Sequence, residues 1–420
     1  MSTELARSVV RFSLARWLCL MGLLFVSCDD GPSRMEMVAA ARSPAASWDY
    51  LGDSMSEAAL LVEEFSQDDL ERREGYRLLA RTVGLGFDRF LEYGQPEVPD
   101  FYRVQSAHRK FAGDNPDQLY HAAAIEGSRS YRIRGRWSDG RVTTALIEFG
   151  VYGGGLSFDD ENAKRRLVGY LDESDLILDD GGNFEVTLSA KAHPGNWIQL
   201  EDDVENVLVR RYFSSPQQSD PLPLEIELID EKPPARPLAQ ADLARGLIGT
   251  GAFLVETVKI WGGWYPGVLE RLGPNRLGLL PDEGDLLTPA EMTYLEGAWQ
   301  LAADEALVLR FVPPDVPYWG FLPMNIWMES FDWRVAPVSV NNFSATRGED
   351  GSVTIVVSEE DPGLPNWIVT MGHRRGLMAF RFARLGEQPV PEVVTRVVPL
   401  ASLSEESLER VGFETGRRVF

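Results

Sequence analysis

One short pattern occurs twice at a fixed interval, and it limits the folds open to this chain more than any other feature. Asp180-Gly181, Ser189, Asn196-Trp197-Ile198 and Arg211 have counterparts in Asp350-Gly351, Ser358, Asn366-Trp367-Ile368 and Arg381. The offset is 170 residues at every pair but Ser189, where it is 169, as a one-residue loop difference would give. A single offset shared by Asp-Gly, Asn-Trp-Ile and Arg marks two related units. The segments Tyr131 to Trp137, Val142 to Phe149, Phe184 to Leu188, Val207 to Phe213 and Leu224 to Leu228 alternate with period two, and Gly, Asp, Asn and Pro punctuate them. Short strands between such turns read as antiparallel sheets in a sandwich or jelly roll. The expected fold is therefore mainly β with helices (α+β): two antiparallel β-sandwich or jelly-roll-like units.

Helical periodicity occupies the remainder. Ser54-Met55-Ser56-Glu57 has the form of a capping box, and Ser66 precedes a run to about Tyr93 with Leu78, Leu79, Val83, Phe87, Phe90 and Leu91 on one face. Residues 240–304 read as helical again, and Thr288-Pro289-Ala290-Glu291 has the composition of a helix start. The expected boundaries are a helical segment over 53–112, a first β unit over 113–238, a helical insert over 239–304 and a second β unit over 305–420. A short capped helix is expected near Ser402 or Ser404.

The N-terminus is read as an address. Arg7, Arg11 and Arg16 precede an apolar run from Trp17 to Val26. That run is about ten residues, against roughly 20 for a spanning helix. It ends Ser27-Cys28, which resembles the lipobox of bacterial lipoproteins with Cys28 as the acylated residue, although Phe25 is bulkier than usual there. Asp29 and Asp30 resemble an inner-membrane retention signal. The expected organisation is a lipoprotein-type signal peptide over 1–28 and a tether over 29–52. The expected location is the periplasmic face of the inner membrane; an ordinary cleaved signal peptide is the alternative. The two cysteines are Cys19 and Cys28, so the chain beyond Cys28 holds no disulfide or thiolate metal site. A net charge of −23 argues against a nucleic-acid partner, and leaves the N-terminal lipid as the one membrane contact.

Familiar catalytic signatures are missing. There is no Gly-x-Ser-x-Gly elbow, no phosphate-binding loop and no His-x-His or His-x-x-x-His pair, and neither metal nor cofactor is expected. Four features remain. The repeated Asn-Trp with its Arg reads as architecture: a turn, a core Trp and an Arg–carboxylate pair. The stretch Tyr318 to Glu329 reads as one strand whose even positions are apolar, whereas its odd positions are Trp319, Phe321, Asn325, Trp327 and Glu329. Flat rings with an amide and a carboxylate suit a glycan or another amphipathic ring ligand; a second packing face is the alternative. The segment Trp261-Gly262-Gly263-Trp264-Tyr265 could cover such a ligand. His373 lies beside Arg374, which would hold it neutral, and with Glu329 or Asp332 it forms the candidate acid–base set of a hydrolase or lyase. Arg132, Arg134 and Arg136 share one face, as an anion clamp or as cross-strand ion pairs.

Two stretches, Gly113-Asp114-Asn115-Pro116-Asp117-Gln118-Leu119-Tyr120 leading to Tyr131-Arg132-Ile133-Arg134-Gly135, and Asp361-Pro362-Gly363-Leu364-Pro365-Asn366-Trp367 through His373, resemble bacterial proteins carrying the domain of unknown function numbered 1214. The resemblance runs from about residue 70 to about 400. It implies jelly-roll-like architecture with appended helices and no catalytic residues. The leading expectation is an envelope protein that binds a small-molecule or glycan ligand, with the hydrolase or lyase and a structural envelope protein as alternatives.

Overall fold

The computed structural model describes residues 43–137, 144–154, 165–213, 222–234, 236–280 and 291–404. The expected leader, Cys28, the first part of the tether, Thr288 to Ala290 and any helix beyond Ser404 lie outside these residues.

The first helix, α1 (Pro44–Phe65), begins inside the expected tether. Ser43 caps it, its hydroxyl accepting from Ala46 N at 3.2 Å, and Pro44 takes the first turn. An N-cap Ser with Pro at N1 is a stronger start than Ser54; Ser54 lies mid-helix and donates its hydroxyl to the Tyr50 carbonyl at 2.9 Å. Ser66 closes α1, its N–H reaching Val62 O, rather than opening the next helix. That helix, α2 (Asp69–Phe87), is capped by Asp68, whose Oδ1 accepts from Glu71 N at 2.9 Å, and it runs into a π turn over Asp88–Glu92.

Two β units follow the same plan. The first holds β1 (Tyr102–Arg103), β2 (Gln118–Ala124), β3 (Tyr131–Arg136), β4 (Leu146–Gly153), β5 (Arg166–Asp172), β6 (Asn183–Ser189), β7 (Trp197–Gln199), β8 (Val204–Tyr212) and β9 (Leu224–Leu228). After α3 (Gln240–Leu272) come β10 (Arg276–Leu279), β11 (Met292–Gln300), β12 (Glu305–Phe311), β13 (Tyr318–Pro323), β14 (Val340–Asn341), β15 (Val353–Ser358), β16 (Trp367–Val369), β17 (Arg375–Ala383) and β18 (Val394–Pro399). Strand order is β1-β2-β8-β4-β5 over β7-β6-β3-β9 in the first unit, and β10-β11-β17-β13-β14 over β16-β15-β12-β18 in the second. Each order maps onto the other strand for strand, so the repeat seen in sequence is a repeat of topology. The α+β class with two sandwich-like units stands.

The expected helical insert is therefore shorter. It ends at Leu272, and Met292 onward is strand, because β11 pairs along its length with β17 and over Leu295 to Ala298 with β10. Ladder pairing on both edges overrides a local helix-start signal. The first β unit likewise begins at Tyr102, ahead of Gly113.

Register refines the repeat. Tyr212 lies opposite Gln118 and Leu146, and Ala383 lies opposite Met292 and Tyr318. Two residues back along each strand, Arg210 faces Tyr120 and Glu148, and Arg381 faces Tyr294 and Gly320. Arg210, not Arg211, is thus the structural equivalent of Arg381; the link before β17 is one residue longer than the link before β8.

Each unit has a core between its sheets. Ile133, Phe149, Val186 and Val209 fill the first; Phe311, Phe321, Ile355 and Phe380 fill the second. The helices pack outside, with α3 against α1 and α2 at points without side chains. A methyl group at Gly251 would come within 2.7 Å of Ser54 Oγ, so only glycine permits that approach.

Candidate functional site

The odd face of the expected Tyr318–Glu329 strand does not meet a ligand. Trp319, Phe321, Asn325, Trp327 and Glu329 are each at most 3% exposed. Strand β13 stops at Pro323, and Asn325 turns the chain, its Oδ1 accepting from Trp327 N at 3.0 Å and Glu329 N at 3.1 Å. Trp319 and Phe321 point between the sheets, Trp319 edge-on to Phe311 at 5.0 Å. Trp327 packs edge-on to Phe65 and donates to the Glu71 carbonyl at 2.8 Å. A strand buried on both faces carries no polarity contrast to say which face is core. Here the aromatic face is core and the even face, with Met324 and Met328, looks outward.

The three acid–base candidates go to three different partners. Glu329 pairs with Arg81 on α2 at 2.7 Å, and burial pushes its carboxyl up to about 7 against the pull of Arg81. Asp332 is chelated by Arg334, which holds its carboxyl down at about 2. His373 Nε2 meets Glu74 Oε2 at 2.7 Å, and its Nδ1 meets the Thr370 carbonyl at 2.8 Å. Burial pulls the His373 pKa down, but the Glu74 hydrogen bond and charge outweigh it, so the pKa is raised rather than lowered. Arg374 turns instead toward Glu359 at 3.7 Å. Glu74 also accepts from Asn325 Nδ2 at 2.7 Å, so this cluster fastens α2 to the second β unit.

The remaining sequence features are architectural. Asn196 and Asn366 make matching bonds to backbone on either side, and the Trp197 and Trp367 indoles donate to Ser189 Oγ at 3.1 Å and Ser358 Oγ at 3.0 Å. Both Trp rings are half-buried; the neighbouring Ile198 and Ile368 are the core residues. Arg211 donates to the Leu222 carbonyl at 3.0 Å, and Arg381 donates to the Gly113 carbonyl where a carboxylate pair was expected. Arg132 and Arg134 cross-brace Glu185 and Glu227 at 2.9 to 3.2 Å on a solvated face, and Arg136 bonds Asn183. The Gly113–Tyr120 motif ties the two β units: Asp114 accepts from Ser330, and Asp117 accepts from Tyr318 Oη at 2.9 Å and Asn341 Nδ2 at 2.8 Å.

A cavity of about 210 Å³ lies where the outer faces of the two five-stranded sheets meet under α3. Alternate residues of four strands face it: Tyr120 and Ala122 on β2, Leu208 and Arg210 on β8, Tyr294 and Glu296 on β11, Leu377, Ala379 and Arg381 on β17. From α3 come Phe253, Thr257, Ile260, Trp261 and Trp264, spaced for one helix face. The Trp-Gly-Gly-Trp segment thus does border a cavity, from within a continuous helix. Phe111, Met324 and Met328 close the apolar side, with Phe111 5.5 Å from Phe253 and 6.4 Å from Trp261. On the polar side stand four guanidiniums, Arg89, Arg165, Arg210 and Arg381.

Sequence reading singled out Trp261, Trp264 and Arg381 but not Arg89, Arg165, Arg210, Phe111 or Phe253. One signal was available: Lys164-Arg165-Arg166 is a basic triplet in a strongly acidic chain. Among the described residues no group of three His, Cys, Asp or Glu side chains converges as metal ligands would, and no helix is long and apolar enough to cross a membrane.

No family model matches the chain, and no curated protein matches it. Among solved structures it is similar to an uncharacterised protein from Burkholderia cenocepacia, with 32% identity and a TM-score of 0.78 over 88% of this chain and 99% of that one. A protein from Vibrio parahaemolyticus aligns at 11% identity and a TM-score of 0.41 over 83% of this chain and all of that one.

Proposed function

We propose that this chain, which belongs to the family of the uncharacterised Burkholderia cenocepacia protein, is a binding protein that holds a small amphipathic ring ligand between its two β units. One observation carries the reading: the cavity combines an aromatic and thioether lining with a polar one. Sites for small molecules combine an apolar lining with a few placed polar groups in this way. A volume of about 210 Å³ is below the usual range of roughly 300–1,000 Å³ for drug-sized ligands, and above the roughly 150 Å³ that accepts benzene. One or two rings fit that interval. The proposed setting is the cell envelope, with Cys28 as a lipid anchor, motivated by the basic and apolar leader and the Ser27-Cys28 junction. Likeness to the domain of unknown function numbered 1214 is likewise a proposal, on the Gly113–Tyr120 and Asp361–His373 segments.

Native mass spectrometry of protein purified without denaturant tests the reading. An adduct of small-molecule mass, lost on unfolding and absent from an Ala379→Trp variant that fills the cavity, is the expected result. A mass equal to the bare chain, or an adduct that persists in Ala379→Trp, would count against it.

A further inference from the structure

We propose that the ligand carries an oxyanion group, a carboxylate in the simplest case, received by Arg210 and Arg381 from the two β units together with Arg165 and Arg89. The inference rests on the binding reading above and adds the charge of the ligand. Arg210 and Arg381 occupy equivalent positions on β8 and β17, and each guanidinium lies 5.7 Å from the ring of an equivalent tyrosine, Tyr120 or Tyr294. Both arginines are 4% exposed. The outer faces of the two sheets meet, so two copies of one residue converge on a single cavity.

Their present partners do not satisfy them. Arg210 donates to Tyr152 Oη at 3.0 Å and has Glu148 at 4.0 Å; Arg381 donates to the Gly113 carbonyl. Nε of Arg165, Arg210 and Arg381 has no hydrogen-bond partner among the described residues. Arg165 stacks on Tyr152 at 3.8 Å and Arg89 lies 5.7 Å from the Phe253 ring, neither with a carboxylate among the described residues. The carboxylates on the cavity wall are already engaged: Glu256 with Lys259 at 3.4 Å, Glu296 with Arg271 and the Trp264 indole. Burial and the neighbouring Arg89 and Arg210 depress the Arg165 pKa to about 10, the direction that uncompensated positive charge produces.

Of the four guanidiniums only Arg210 has a carboxylate among the described residues, Glu148, as near as 4.0 Å, and buried positive charge with so little compensation is costly. A guanidinium presents a planar fork of donors that matches a carboxylate, sulfonate or phosphate, and a bound oxyanion would supply the missing acceptors. The rings of Phe111, Phe253 and Trp261 would hold the ligand's body.

Isothermal titration with naphthalene-1-acetate and its neutral isostere naphthalene-1-acetamide separates the two readings. The acid should bind at least about tenfold more tightly than the amide, as charge-assisted hydrogen bonds imply. Arg165→Gln should weaken the acid about tenfold and the amide by clearly less, so that the ratio of the two affinities falls. Arg89→Gln, at a second half-buried position, repeats the test should Arg210→Gln or Arg381→Gln fail to fold. Equal affinity for acid and amide would overturn the anion inference and leave the cavity reading standing. Binding of neither compound, by protein refolded free of any retained molecule, would overturn both.

Discussion

At Asn325 one side chain decides the path of the backbone. Its carbonyl oxygen accepts two backbone N–H groups and its amide donates to Glu74, so the chain leaves β13 in a tight turn. The turn puts Met328 at φ +56° and Trp327 under α2. It follows that the two kinds of tryptophan differ in weight. Trp327 is fully buried, whereas Trp367 is half-buried on a three-residue strand. Trp327→Ala should cost about 3–5 kcal/mol, as deep aromatic truncations do, and Trp367→Ala roughly 1–2 kcal/mol. Denaturant unfolding of the two variants checks this; a larger loss for Trp367→Ala would show that the core was misplaced. At this scale the sequence was legible for identity but not direction. Alternation located β13, yet period two defines two faces without saying which is inside, and both are buried here.

Helix α2 is the element on which the polar contacts converge. Arg375 clasps Glu71 at 2.6 Å, Arg81 reaches Glu329, and His373 reaches Glu74. The last pair makes the docking pH-dependent. The raised His373 pKa means that the protonated ring adds stability fully present below its unfolded value of 6.5 and lost as pH rises through the folded value. Glu74 works in the opposite sense. Burial alone would raise its carboxyl, but His373, Asn325 and Arg81 hold it below 4.5, so its contribution is present above that value and fades in acid. The pair is therefore strongest near pH 5.5. There His373→Gln should cost about 1.5–3 kcal/mol, the range for hydrogen bonds to charged groups, and clearly less at pH 8.5. Melting temperatures of both proteins at the two pH values measure this, and a loss that does not change with pH contradicts the ion pair. Element boundaries were legible where composition was strong, as in β3, β6 and β9, and illegible where sheet pairing overrode it, as in β11. Glu74 could not have been linked to His373 from sequence, because 299 residues separate them and neither belongs to a motif that specifies the other.

For the whole molecule the duplication is the controlling fact. It was legible as an offset of 170, and it carried the topology of both sandwiches. What it did not disclose is how the units meet, because that depends on their outer faces, on α3 and on a one-residue shift in the link before β17. The cavity was out of reach for that reason, and with it Arg89, Arg165 and Arg210, which come from the π turn after α2, the residue before β5 and β8. Outside the described residues, the proposed lipid anchor at Cys28 makes its own prediction. Cys28→Ser should move the protein from the membrane fraction to the soluble one; a variant that still pellets, alongside a wild-type mass without lipid, removes the anchor.

The central claim is that one cavity between the units receives a ring-bearing acid, and co-crystallisation with naphthalene-1-acetate tests it most directly. The account predicts ligand density inside the cavity, the ring among Phe111, Phe253 and Trp261 and the carboxylate within hydrogen-bond distance of Arg210 or Arg381. A structure with the cavity empty and the acid bound elsewhere on the surface would contradict it.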